Sequence, residues 1–282
     1  MKPKSTQQRK ARFALRPATV FAFGLFTSVG AGPALAQSAT DLFTKTENSL
    51  GVSLTNYKYK EPNVMQLKAA KAGFDYAGTY AFGSVWPNTD QGWFFRGEAR
   101  YATGNADYSS PISGTLDNTK DWYYELRGLL GRDFNMGSYV LSPYAGLGYR
   151  YLHNDLRGFS SFGDPGYLRK NTLQIAVLGI THKIKMAGGN QLHTSVEYMH
   201  LIKGKQTVSE HTNRANPDLS LDQNKGYGLR LSSSWRSGPW SVGPTFTYWN
   251  IDRSETVTAG GGSWFEPKNT TLEVGLKGAY HF

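Results

Sequence analysis

The chain ends in Leu272-Glu273-Val274-Gly275-Leu276-Lys277-Gly278-Ala279-Tyr280-His281-Phe282, a run that alternates in polarity and closes on an aromatic carboxy-terminus. In an extended strand, successive side chains point to opposite faces. Leu272, Val274, Leu276, Tyr280 and Phe282 therefore share one face, and Glu273, Lys277 and His281 share the other. A strand that is apolar on one side and charged on the other suits a wall between lipid and a polar lumen. The expectation is a transmembrane β-barrel.

The opposite end reads as an export signal. Lys2, Lys4, Arg9, Lys10, Arg12 and Arg16 form a basic stretch without an acid, and Ala18 to Ala31 is apolar but short for a spanning helix. Ala34-Leu35-Ala36 then offers the small-x-small site a signal peptidase needs. Residues 1–36 are accordingly expected to be a cleaved signal peptide, and residues 37–282 the barrel domain. An uncleaved anchor helix would need a longer apolar run. The whole chain has 31 basic and 21 acidic residues, net +10. Six of the basic residues lie in the leader, which leaves 25 against 21, or +4, over the remaining 246 residues. No Lys/Arg run of the kind used for nucleic acid remains, so no nucleic-acid partner is expected.

The absence of cysteine removes thiol catalysis, disulfides and cysteine-ligated zinc together. Hydrogen bonds and packing must then hold an exported chain, and a closed barrel leaves no strand edge unpaired. Mean hydropathy is −0.47, and no segment after the leader has 18 consecutive apolar residues, which excludes helical spans. The 32 Gly, 17 Tyr, 15 Phe and 7 Trp fit a barrel. A soluble sandwich could share that composition but needs no regular rhythm of long and short connections.

That rhythm is present. Ten strands are expected at roughly 49–60, 70–83, 91–104, 120–134, 138–153, 168–185, 191–205, 224–236, 239–252 and 270–282, with eight or twelve as alternatives. Connections after strands two, four, six and eight are short: Ser84 to Gln91 (with Pro87-Asn88-Thr89-Asp90), Asn135-Met136-Gly137, Met186 to Asn190, and Ser237-Gly238. Three of these carry Gly, which supplies positive φ for tight hairpins. Connections after strands three, five, seven and nine are long and polar: Asn105 to Thr119, Asn154 to Tyr167, Gln206 to Gln223, and Arg253 to Asn269. Short turns at one end and long loops at the other match periplasmic and extracellular barrel ends.

Alternation sets the faces. Trp93, Phe95 and Tyr101 point outward, with Arg96, Glu98 and Arg100 inward; Trp122, Tyr124, Leu126 and Leu130 outward, with Glu125 and Arg127 inward. Strand five places Leu147, Tyr149 and Tyr151 outward and Arg150 inward; strand eight places Tyr227, Leu229, Leu231 and Trp235 outward and Arg230 inward. Strand six alternates poorly, and this register turns Leu178 and Ile180 inward. Aromatics fall at strand ends as two interfacial girdles: Phe134, Tyr139, Trp235, Trp240 and Phe282 at the short-turn end, and Tyr101, Trp122, Tyr149, Tyr151, Tyr198, Tyr227 and Tyr248 at the other.

The leader, the aromatic final strand and the motif Ser142-Pro143-Tyr144-Ala145-Gly146-Leu147-Gly148-Tyr149-Arg150-Tyr151-Leu152 resemble bacterial outer-membrane β-barrel proteins of Gram-negative cells. The resemblance covers essentially the whole chain after the leader. It implies an all-β, closed antiparallel barrel in the outer membrane, in contact with outer-membrane lipids and lipopolysaccharide. It also implies that Leu276, Tyr280 and Phe282 form the signal read by the barrel-assembly machinery, with Gly278 the one departure from bulky alternation. Periplasmic chaperones and that machinery would be transient partners.

The lumen should carry a charge network of Arg96, Glu98, Arg100, Glu125, Arg127, Arg150, Arg230, Glu273 and Lys277, together with Asp75 and Glu197. A barrel of about ten strands is little wider than one that side chains fill, so paired Arg and Glu should close most of it. The expected role is structural or surface-interacting rather than enzymatic, with a narrow ion or solute pore lined by Arg as the alternative. A third reading is an omptin-like surface protease, which resembles this chain in strand number. His153 and Asp155, with His200 nearby, would be its candidates, but no paired-aspartate motif accompanies them. His193-Thr194-Ser195 is similar to the His-x-Ser of lipid A deacylases, yet it falls near the periplasmic end and points into the lumen. No phosphate loop and no metal-spaced His cluster occurs, so no cofactor is expected. The Gly-, Ser- and aromatic-rich loops, such as Phe159 to Tyr167 and Gly260 to Phe265, suit an extracellular ligand whose identity they do not reveal.

Overall fold

The computed structural model describes residues 39–82 and 91–282. Both the leader and the Pro87-Asn88-Thr89-Asp90 turn fall outside them. The strands are β1 (Glu47–Glu61), β2 (Met65–Phe82), β3 (Gln91–Ser110), β4 (Gly114–Asn135), β5 (Tyr139–Asp155), β6 (Leu168–Lys185), β7 (Gln191–Ser209), β8 (Leu219–Asp222), β9 (Gly226–Ser237), β10 (Trp240–Ile251), β11 (Val257–Ala259), β12 (Gly262–Trp264) and β13 (Asn269–His281). Ten of them pair antiparallel in a closed ring: β1 to β7 in order, then β9, β10 and β13, which returns to β1 through Ser49↔His281 to Lys60↔Thr270. The short β8 adds to the outer end of β7, and β11 and β12 form a small hairpin in the last connection.

Closure leaves every wall strand with two partners, so the backbone can face lipid without orphan polar groups. The wall turns apolar groups outward: Val52 is 67% and Leu54 70% exposed, and Leu126, Leu130, Leu147 and Leu276 are likewise exposed. A contiguous belt of this kind is not a surface for water. The upper girdle is an aromatic ladder, with ring centroids 6.0 Å apart for Tyr101–Trp122, 5.5 Å for Trp122–Tyr151 and 6.3 Å for Tyr198–Tyr227. At the short-turn end, Trp240 packs on Tyr280 at 4.8 Å.

Two expectations are corrected. Leu178 and Ile180 face outward, 63% and 40% exposed, while Leu173, Ile175 and Val177 point inward and are buried. Strand six looked irregular because both of its faces are apolar, one to lipid and one to an internal core. Second, Asn105 to Thr119 is not a long loop. β3 and β4 stay paired up to Ser110↔Gly114 and turn over three residues, held above the belt by inward packing of Ala106, Tyr108 and Leu116.

Ahead of β1, a 3-10 turn (Ala39–Leu42) crosses the short-turn mouth. Leu42 is buried against Val140. The Thr44 N–H donates to Asp133, its hydroxyl donates to the same carboxylate at 3.1 Å, and Lys183 donates to that hydroxyl at 2.6 Å.

Candidate functional site: the barrel lumen

Inward positions of β3, β4, β5, β7, β9 and β13 meet at mid-barrel in one charge network. Arg127 joins Glu98, with Nε to Oε2 at 2.8 Å, and Glu197 at 2.6 Å. Glu125 accepts from Arg230 at 2.8 and 3.1 Å and lies 3.6 Å from both Arg127 and Arg150. Arg150 donates to Glu273 at 2.5 Å. Phenol hydroxyls complete the carboxylates, Tyr123 to Glu273 at 2.7 Å and Tyr144 to Glu197 at 2.8 Å. Buried charges are tolerable only when paired and hydrogen-bonded in this way.

The remaining charges named from the sequence lie at the edge. Arg100 is 3.9 Å and Lys277 3.2 Å from Asp75. Arg96 donates from Nε to Thr79 at 3.3 Å. Sequence reasoning missed four further interior groups: Lys71 with Asp121 at 2.5 Å, Lys183 with Asp133 at 3.0 Å, Arg169 with Glu266 and Glu61, and Arg236 with Glu47 at 2.7 Å. The period-two parity that selected Asp75 and Glu125 would have found Lys71 and Asp133. Glu266 sits in a connection, where no periodicity points to it.

Above the network the lumen is filled, with apolar clusters packed around the buried Lys71–Asp121 and Arg169–Glu266 pairs. Tyr57, Leu67, Ala102, Tyr123 and Leu152 form one buried cluster, and Leu173, Ile175, Met199, Leu201, Trp249 and Ile251 another. Inward glycines make room for the rings: a Cβ on Gly179 would meet the Tyr144 ring at 2.5 Å, and one on Gly131 the Phe94 ring at 2.3 Å. The gap left beside Trp249 measures about 20 Å³, roughly the space of one water. Below the network, by contrast, a cavity of about 400 Å³ opens at the short-turn end, lined by Ser, Thr, His and charged side chains.

The protease candidates do not converge. His153 points outward, its ring 4.9 Å from Trp122, and Asp155 is taken up by Arg157 at 2.7 Å. His200 is exposed on the outer face. A different approach occurs in the connection after β7, where His211 Nε2 lies 3.9 Å from the exposed Asp218 while its ring packs on Tyr167. His193 lines the lower cavity and is bonded to Gln191 at 2.9 Å.

No protein-family model matches the chain, and no curated protein matches it in sequence. Among solved structures, the outer membrane protease OmpT from Escherichia coli superposes with a TM-score of 0.53 at 12% identity, over 86% of this chain and 100% of that one. The transport unit of the autotransporter AIDA-I from Escherichia coli gives 0.45 at 9% identity, over 86% and 95%. The β domain of the Bordetella autotransporter BrkA gives 0.41 at 13%, over 83% and 98%. The likeness is one of fold. This chain has the architecture and the lipid-facing surface of a bacterial outer-membrane β-barrel. The fold alone does not choose a role.

Proposed function

We propose that the protein is a non-catalytic structural or surface-interaction barrel of the bacterial outer membrane, exported by a leader over residues 1–36 that is cleaved after Ala36. The observation that carries this reading is the filling of the outer half of the lumen. Trp249, Ile175, Leu67 and Met199 are each 1% exposed or less there, directly above a paired charge network. A conducting path needs a continuous column of water, whereas here these side chains pack with the buried Lys71–Asp121 and Arg169–Glu266 pairs around a gap of about 20 Å³. Solvent-facing Ile112 in the β3–β4 turn and Phe159, Phe162 and Phe265 on the long connections suit a recognition surface.

Two partners follow from the wall. Lys58 and Lys68 are direct cross-strand neighbours on the outward face, with Lys60 two residues further out, just beyond the apolar belt. Like charges placed opposite each other repel, and phosphate groups of lipopolysaccharide would neutralise them. The outward row of Leu276, Tyr280 and Phe282 is presented to the barrel-assembly machinery.

Planar-bilayer recording of the folded protein is the test. The reading expects no discrete current steps from the intact barrel. Reproducible unitary steps would instead favour the narrow channel, with Arg96, Arg100, Arg127 and Arg150 as its selectivity candidates.

A further inference from the structure

Among the described residues, the inward-facing Lys and Arg of the barrel wall are matched to carboxylates with one exception. Lys71, Arg100, Arg127, Arg150, Arg169, Lys183, Arg230, Arg236 and Lys277 each have a carboxylate oxygen within 4.0 Å. Arg96 has none among the described residues. Its Nε donates to Thr79 at 3.3 Å, its guanidinium carbon lies 5.3 Å from the Phe94 ring, and its terminal nitrogens have no acceptor among the described residues. Glu98, two positions along the same face, is committed to Arg127, and nearby Lys277 is committed to Asp75.

Arg96 also stands at a junction. The open cavity of about 400 Å³ and a deeper one of about 160 Å³ beneath the charge network share Arg96, Glu98, Ser195, Ser232, Thr245 and Lys277 in their walls. Ser232 and Thr245 make no side-chain hydrogen bond to other described residues, which leaves their hydroxyls for a guest. The larger volume falls in the range of small-molecule sites. A guanidinium presents a planar fork that matches a carboxylate or phosphate through two parallel hydrogen bonds. In a cavity sunk into the barrel beneath the charge network, a charge without a paired carboxylate is screened less than on an open surface.

We propose that the lower lumen is a binding site for a small oxyanion, a carboxylate- or phosphate-bearing solute entering from the short-turn mouth, with Arg96 as its anchor and the Ser232 and Thr245 hydroxyls as supporting donors. The site goes beyond the closed-barrel reading and does not depend on it. A barrel that conducts yet binds at Arg96 would overturn that reading and keep this one.

The test follows side-chain arginine NMR signals of the folded full-length mature protein in detergent micelles during titration with inorganic phosphate, with sodium acetate and sodium chloride as parallel arms. The expected result is a saturable shift of the Arg96 Nε–H signal with phosphate or acetate, whichever oxyanion the site prefers, and not with chloride at equal ionic strength. Arg96→Gln should weaken binding by about tenfold or more, followed by the shift of neighbouring amides, and Arg96→Lys by less, because it keeps the charge and loses the fork. No saturable response in the wild-type protein, an equal response to chloride, or unchanged binding in Arg96→Gln would each overturn the proposal. The wild-type titration decides even if a variant fails to fold.

Discussion

The two halves of the lumen share ten strands and one alternation rule, yet they are filled by different physics. The outer half is packed with Leu67, Tyr123, Ile175, Met199 and Trp249 around the buried Lys71–Asp121 and Arg169–Glu266 pairs. The lower half is walled by Ser195, Ser232, Thr245 and charged side chains around an open cavity. Between them lies the network of Arg127, Arg150 and Arg230 with Glu98, Glu125, Glu197 and Glu273. The contrast teaches that a barrel wall fixes which face a residue takes and leaves open whether the interior is dry or wet.

Substitutions can break this division, and the largest effect is expected at the seam. Arg127→Met strands Glu98 and Glu197 without their shared cation, and removal of one partner from a buried pair costs about 3–5 kcal/mol. A large drop in the urea midpoint of the folded barrel in detergent is the expected observation; a wild-type midpoint would mean that the network is solvated and that the two halves are continuous. Met199→Ala in the outer core should cost roughly 2–5 kcal/mol in the same assay. Its counterpart Ser232→Ala in the lower cavity should stay within about 0.5 kcal/mol of wild type. Equal costs at the two positions would erase the comparison.

The smallest effect belongs to the strap across the lower mouth. The hydrogen bond from Lys185, 2.7 Å away, holds the Asp41 carboxyl below its ordinary value of 3.8. A depressed carboxyl pKa stabilises the docked strap above the ordinary value and loses that contribution as pH falls through the folded one. Lys185→Gln should therefore move the Asp41 titration, read from its carboxyl carbon shift, back up toward 3.8. No movement would mean that the strap is not held there.

Much of the wall was legible. The ten expected strands match the ten wall strands, Gly137 with φ 85 sits in a tight turn, and the girdle residues face outward. Strand six was misread because alternation assumes a polar lumen, and Leu173, Ile175 and Val177 line a dry one. The β3–β4 hairpin was read as a loop because its residues are polar outside the belt, where a strand needs no apolar outer face. Of the charged lumen, parity named the inward groups but not their partners. Arg150 and Glu273 meet although 123 residues separate them, and nothing local records that.

The sequence by itself determined a closed wall of alternating strands with an apolar exterior, because the period of two is a local property of extended backbone and lipid selects one face. Only the tertiary structure decided that the outer lumen is a packed core, that Glu125 gathers three arginines and that Arg96 is left unmatched. Those outcomes depend on which inward side chains ring closure brings to the same height across the barrel, and that height is set by the register of all ten strands together.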